Sequence, residues 1–262
     1  MTTSNEPRTA LVLAGSKGLG RGCAESLAAA GNRLVLCARG SEALEATAAD
    51  LRADGAEVVT QVVDVRDPSQ VADAFAVAQE AFGSLDILVC NAGGPPPGTF
   101  ATVTEDDWRT GFELTLMSVV HAVRHAIPAM EARGGGRILV LGSSSVRKPI
   151  PNLVISNVYR PGLVGLVKHL AVELAPSGIT VNMVSPGRIQ TDRVDQLDAK
   201  AAERQGITRE EVRANSIATI PMGRYGDPRD LGDLVAFLAS SAAGYVTGQS
   251  VLVDGGMVPT LP

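Results

Sequence analysis

Short runs of Val, Leu and Ile alternate along the chain with longer Ala-rich stretches whose apolar residues recur at helical spacing. The runs "TALVL", "RLVLC", "AEVVTQVVDV", "LDILVC", "RILVLG", "ITVNMVS" and "SVLVDGG" are short and rich in β-branched residues, and they read as strands. Between them the spacing predicts helices over residues 20–30, 41–54, from Pro68 onward, 105–132 and 152–175. The strands are apolar almost throughout rather than alternating, so both of their faces are expected to be covered. Strand–helix repetition with right-handed crossovers then makes an α/β fold: one doubly wound parallel sheet with helices on both faces. No repeat or linker-like tract divides the chain, and residues 1–262 are read as a single domain.

One segment breaks the rhythm. Residues 190–222 include the charged stretch "TDRVDQLDAKAAERQGITREEVRA" and sit just after the carboxyl end of a predicted strand, where open α/β sheets bind ligands. A substrate lid is the expectation there, with a solvated helical excursion as the plainer alternative.

Composition narrows the partners. With 45% hydrophobic and 19% charged residues, the 262-residue chain can bury a substantial core. A net charge of −5 disfavours nucleic acid and anionic membrane surfaces, although local Lys and Arg clusters can still receive a small anionic ligand. Cys23, Cys37 and Cys90 lack metal-ligand spacing and are expected to be buried free thiols. His121, His125 and His169 have no Cys or acid at ligand spacing, so no metal site is expected, and Trp108 reads as a packing residue. No apolar run reaches membrane-spanning length and "MTTSNEPRTA" lacks a signal-peptide core, which points to a cytoplasmic protein.

The first strand leads into "LAGSKGLGRG", where Gly15, Gly18 and Gly20 open a helix. Such glycines let the backbone approach a pyrophosphate whose charge the helix N-terminus meets. The spacing is not the G-x-G-x-x-G of many dinucleotide sites, so the turn gains its weight from being the first strand-turn-helix of the chain.

Taken with four further motifs in order, the chain resembles the short-chain dehydrogenase/reductase family over nearly its full length, with a general likeness to carrier-protein ketoacyl reductases. The family's T-G-x-x-x-G-x-G turn is matched by Leu13-Ala14-Gly15-Ser16-Lys17-Gly18-Leu19-Gly20. Its adenine-contacting Asp matches Asp64, followed by Val65, and its N-A-G turn matches Asn91-Ala92-Gly93. The P-G-x-x-x-T element that holds the nicotinamide amide matches Pro186-Gly187-Arg188-Ile189-Gln190-Thr191, and "GYVTGQSVLVDGG" is also typical. The resemblance implies a Rossmann-type fold and assigns these positions to the cofactor. Leu13 and Ala14 depart from the pattern, and Gly15 is expected to supply the backbone freedom one position later. Arg39, the absence of an acid at positions 37–40, and Lys17 in the turn favour NADP(H), with NAD(H) second.

The catalytic segment departs further. The family uses a Tyr, a Lys four residues on, a Ser after the fifth strand and an Asn in the preceding helix. Matched from both sides, these positions fall on Ser156, Arg160, Ser143 and Thr115, so only the Ser is kept. Ser is a far weaker acid than a phenol, and Arg stays charged where Lys can pass on a proton. Ser156 and Arg160 share one helix face and can hold a carbonyl oxygen, with Arg160 also reaching toward a ribose and water bringing the proton. Tyr159 offers another acid if Pro161 kinks the helix, although a packing role is the stronger reading. Ser144 and Ser145 read as turn caps, and Arg147 and Lys148 lie near the expected cleft mouth.

These residues suggest an NADP(H)-dependent oxidoreductase of a carbonyl or alcohol, or of a related C=C or C=N substrate, with an atypical active site. The substrate is a small molecule, open to being anionic or carrier-bound. A cyclase, dehydratase or isomerase on the same fold, or a catalytically silent nucleotide-binding protein, are the alternatives. The family's habit implies a homotetramer or homodimer through two long helices and the C-terminal segment, where "MVPTLP" is apolar.

Overall fold

The computed structural model describes residues 7–260; the first six residues and the last two of "MVPTLP" lie outside it. In chain order it runs β1 (Thr9–Val12), α1 (Gly18–Ala29), β2 (Arg33–Ala38), α2 (Ser41–Ala53), β3 (Val58–Val62), α3 (Pro68–Phe82) and β4 (Ile87–Cys90). Then follow α4 (Glu105–Phe112), a π-helical turn (Glu113–Met117), α5 (Ser118–Ala132), β5 (Gly136–Leu141), α6 (Val154–Leu174) and β6 (Ile179–Pro186). Helices α7 (Asp192–Gln205), α8 (Arg209–Ala218) and α9 (Pro228–Ala239) precede β7 (Ser250–Val253).

All seven strands are parallel, in the order β3-β2-β1-β4-β5-β6-β7. Strand side chains point alternately to the two faces, so each strand feeds two cores. Leu11 and Leu13 pack with α3, α5 and α6 on one face, through Val71, Val123 and Val167. Ala10 and Val12 pack with α1, α2 and α9 on the other, through Leu27, Leu44 and Val235. This is the doubly wound sheet expected from the apolar runs. Chain order reverses between β1 and its neighbours β2 and β4, and the crevice at their carboxyl ends is the ligand-binding position of such sheets.

Local chemistry sets the helix starts. Asp67 caps α3, accepting from Ser69 N at 2.9 Å, with Pro68 in the first helical position where no N–H is needed. Thr104 with Asp107 and Thr208 with Glu211 form capping boxes on α4 and α8.

Two expectations change. The helix read over 105–132 is divided by the π turn, where the Ser118 hydroxyl donates back to Leu114 O at 2.7 Å. A wider turn rotates every following residue about the axis, a shift that apolar periodicity over so short a stretch does not reveal. And α6 continues as a helix through Pro161, which is exposed on its outer side. The three cysteines are buried and unbonded, with burial pushing each thiol up to about 12. Among the described residues no helix is long and apolar enough to cross a membrane.

Candidate functional site

The turn after β1 is pinned from both neighbouring strands. Leu13 N donates to Val89 O (3.1 Å) and Gly15 N to Cys37 O (2.8 Å). Ala14 itself takes the left-handed conformation, with φ of 48°, so the freedom expected of Gly15 is not displaced along the chain. Gly15 instead allows close packing, since a Cβ there would stand 3.0 Å from the Leu36 side chain. Ala14 holds its position because its carbonyl accepts from Asn91 Nδ2 at 3.1 Å. That carbonyl also lies against the first turn of α1: a Cβ on Gly20 would stand 2.1 Å from it, which excludes any other residue. No side chain caps α1 and its first turn carries no acid, so its N-terminal N–H groups are available to an anion. The bare backbone, the uncapped helix start and half-buried Ser16 and Leu19 fit a dinucleotide pyrophosphate.

Lys17 in this turn and Arg39, just past β2, are both exposed. The carboxylate of Asp64 is held by Arg66, whose Nη2 lies 2.6 Å away and whose backbone N–H adds a bond at 3.0 Å. These bonds, with a smaller contribution from the charge of Arg39, keep the carboxyl below its ordinary range. Arg66 was not singled out in the sequence. The available signal was an Asp followed two residues later by a base, the spacing of a side-chain-closed turn. Val65 is buried beneath it; Asn91 and Ala92 are half-buried and Gly93 exposed on the opposite side of the crevice.

Beyond β5 the serines come together. Ser143 Oγ accepts from Ser145 N (3.2 Å), so Ser143 caps the short 3-10 turn Ser144–Val146. Ser145 Oγ lies 3.3 Å from Ser156 Oγ, and Ser156 is 6% exposed. Ser145 therefore does more than the turn-capping expected of it. One turn along α6, Arg160 Nη1 donates to the Leu141 carbonyl, while its buried Nε has no partner. Burial without an acid lowers its pKa to about 10, leaving it charged at neutral pH. Thr115, on the π turn, is likewise buried with an unpartnered hydroxyl.

Tyr159 is turned toward α4, as the packing reading holds. Its hydroxyl donates to Trp108 O (3.3 Å), and its ring meets Trp108 edge-on at 5.7 Å and Phe112 at 5.9 Å. Pro161 produces no swing of Tyr159 toward the serines. The exposed pair Arg147 and Lys148 begins a loop that Asn157 holds by two bonds, from Ile150 N and to Ile150 O, each 2.9 Å.

The last wall comes from β6. Gly187 N donates to Val253 O at 2.9 Å, Pro186 is half-buried and Ile189 buried, and Thr191 caps α7 by accepting from Val194 N at 3.3 Å. Thr191 packs against Gly18 of the first turn. Residues 190–222 form α7 and α8, secured at their base by Asp198, which is 4% exposed. Its carboxylate accepts from Arg188 Nη1 (2.7 Å) and from the Tyr225 hydroxyl (2.9 Å), and Arg213 lies 4.5 Å over the Tyr225 ring.

The model of a family described as enoyl-(acyl carrier protein) reductase matches residues 13–258. The chain is 35% identical over 257 residues to a monensin polyketide synthase putative ketoacyl reductase of Streptomyces virginiae, covering 97% of this chain and 98% of that protein. It is also 35% identical over 257 residues to dehydrogenase/reductase SDR family member 4 of Sus scrofa, covering 98% and 89%. Among solved structures, actinorhodin polyketide ketoreductase with NADPH superimposes with a TM-score of 0.94 at 32% identity, over 99% of this chain and all of that one. The chain belongs to the short-chain dehydrogenase/reductase family of oxidoreductases.

Proposed function

We propose that the protein is an NADP(H)-dependent reductase of a carbonyl compound, or of a related C=C or C=N bond, working with serine hydroxyls and an arginine in place of a Tyr–Lys pair. The observation that carries this reading is the serine cluster in which Ser143 Oγ accepts from Ser145 N and the Ser145 and Ser156 hydroxyls meet, one helical turn from a charged Arg160 whose buried Nε has no partner. When bound, the cofactor supplies or accepts the hydride. Ser143 and Ser156 orient the substrate oxygen by hydrogen bonds, and Arg160 stabilises negative charge developing there. Arg160 also offers donors to the nicotinamide ribose. Its guanidinium cannot serve as the proton source, so water entering beside the serines supplies the proton. Without a positioned acid the rate is lower by on the order of 10²–10⁴, which suits a substrate already polarised.

Lys17 and Arg39 support NADP(H) over NAD(H), in keeping with the NADPH of the actinorhodin relative. In this reading the segment 190–222 acts as a lid over the substrate, and Arg147 and Lys148 receive an anionic or carrier-bound substrate at the mouth. The test is calorimetric titration with NADPH and NADH. Tight NADPH binding that weakens about 10- to 100-fold in a Lys17→Ala/Arg39→Ala variant, with NADH little changed, is expected. Equal affinity for both nucleotides in the unaltered protein sinks the cofactor assignment. Product formed without nicotinamide oxidation sinks the reductase itself.

A further inference from the structure

Arg193 stands two residues beyond Thr191, on the first turn of α7, and its side chain crosses the cleft to the opposite rim. There its Nη2 donates to the Pro95 carbonyl at 3.0 Å. The guanidinium lies on the bare backbone of Gly94, where a Cβ would come within 3.0 Å of Nε and 3.2 Å of Nη2. One of its five N–H donors is thus used, and on a neutral acceptor.

Its charge has no counterpart nearby. The neighbouring acids face other groups: Asp195 accepts from Gln190 Nε2 at 2.9 Å, Asp198 is taken by Arg188 and Tyr225, and Asp192 lines a cavity with Lys17 and Gly18. Among the described residues no carboxylate pairs with Arg193, and burial alone lowers its pKa. The rim it reaches, Pro95-Pro96-Pro97, has no backbone N–H and cannot bind an anion itself. An unpaired, partly buried guanidinium is costly, and an apolar side chain of similar length would pack there more cheaply. Arg160 is accounted for by the reacting oxygen and the ribose, whereas Arg193 is left with four free donors in a planar fork that suits a carboxylate.

We propose that Arg193 is the specificity residue of the substrate site, binding the carboxylate of a carbonyl substrate that carries one. The group it binds is called a substrate on the strength of the reductase reading; the anion site is not. Gly94 leaves the room in which the guanidinium lies, and Pro95 O holds it ready until the carboxylate takes over the remaining donors.

The experiment compares 2-oxooctanoate, phenylglyoxylate and 4-oxopentanoate with their methyl esters, by calorimetry on protein saturated with NADP⁺ and by NADPH consumption. Unaltered protein is expected to bind at least one oxo acid about 10- to 100-fold more tightly than its ester. Arg193→Met should remove that preference, leave ester binding and NADPH affinity within about threefold, and raise KM for the acid more than it lowers kcat. Arg193→Lys should recover part of the preference, and Gly94→Ala, which displaces the guanidinium, should weaken the acid several-fold. No preference for any acid over its ester overturns the proposal. So does an Arg193→Met variant that loses NADPH affinity, which would make the residue a cofactor clamp, or one that weakens acid and ester equally. If acids bind selectively through Arg193 but no NADPH is consumed, the anion site stands and the reductase reading falls.

Discussion

Ala14 is a non-glycine residue in the left-handed region, a conformation that costs an L-residue roughly 1–2 kcal/mol. Its carbonyl, fixed by Asn91 and overlaid by Gly20, keeps it there. Ala14→Gly relieves this strain at the cost of a more flexible unfolded chain, and a net gain of about 0.5–1 kcal/mol in urea unfolding is expected. A loss of about 0.4–1 kcal/mol, the full entropy cost of glycine, would show that the turn carries no strain. Arg160 sets the pH behaviour of the proposed reaction. Burial lowers its folded pKa to about 10, so the charged form persists below that value and is lost as pH rises through it. Reductase activity should therefore be level between pH 7 and 9 and fall near 10. Arg160→Lys, whose amine titrates more readily on burial, should move the fall to lower pH. A fall near neutrality in the unaltered protein would instead reveal another titrating acid. For protein stability the sign is opposite: burying this cation opposes folding below about 10, and the penalty eases as pH rises above that value toward the ordinary range of arginine.

At the scale of elements, α7 and α8 depend on one carboxylate. Asp198 joins Arg188, just past β6, to Tyr225, just before α9, and so closes the base of the excursion. Removing a buried partner leaves the other groups unsatisfied, so Asp198→Ala should cost about 2–4 kcal/mol. Hydrogen exchange should place that loss in α7 and α8, with β4 and β5 still protected. Uniform loss of protection would mean that the segment unfolds only with the whole domain. The strands, the helix starts at Ser41, Pro68 and Glu105 and the charged excursion were legible in the sequence, because apolar period and capping residues act over a few positions. The π turn was not, since it arises from how α4 and α5 settle on α6. A packing role was the stronger sequence reading of Tyr159, but its partners Trp108 and Phe112 were not legible, being some fifty residues away in sequence and adjacent only after folding.

For the molecule as a whole, α6 exposes Val158 (52%) and Val172 (79%) along one side, and Phe112 of α4 is also exposed. The expected dimer or tetramer through the long helices can be tested at these positions. Val158→Glu/Val172→Glu should yield monomers in sedimentation, and an unaltered mass would move the interface elsewhere. The sequence by itself determined the parallel α/β architecture, the glycine turn and the order of the dinucleotide motifs. Each of these follows from local period or from residue identity at a matched position. Only the tertiary structure decided that Ala14 bears the left-handed turn, that Ser145 meets Ser156 and that Arg193 spans the cleft to Pro95. Hydrogen bonds and uncompensated charges depend on distances of a few ångströms between residues brought together by the sheet, and neighbours along the chain carry no record of those distances.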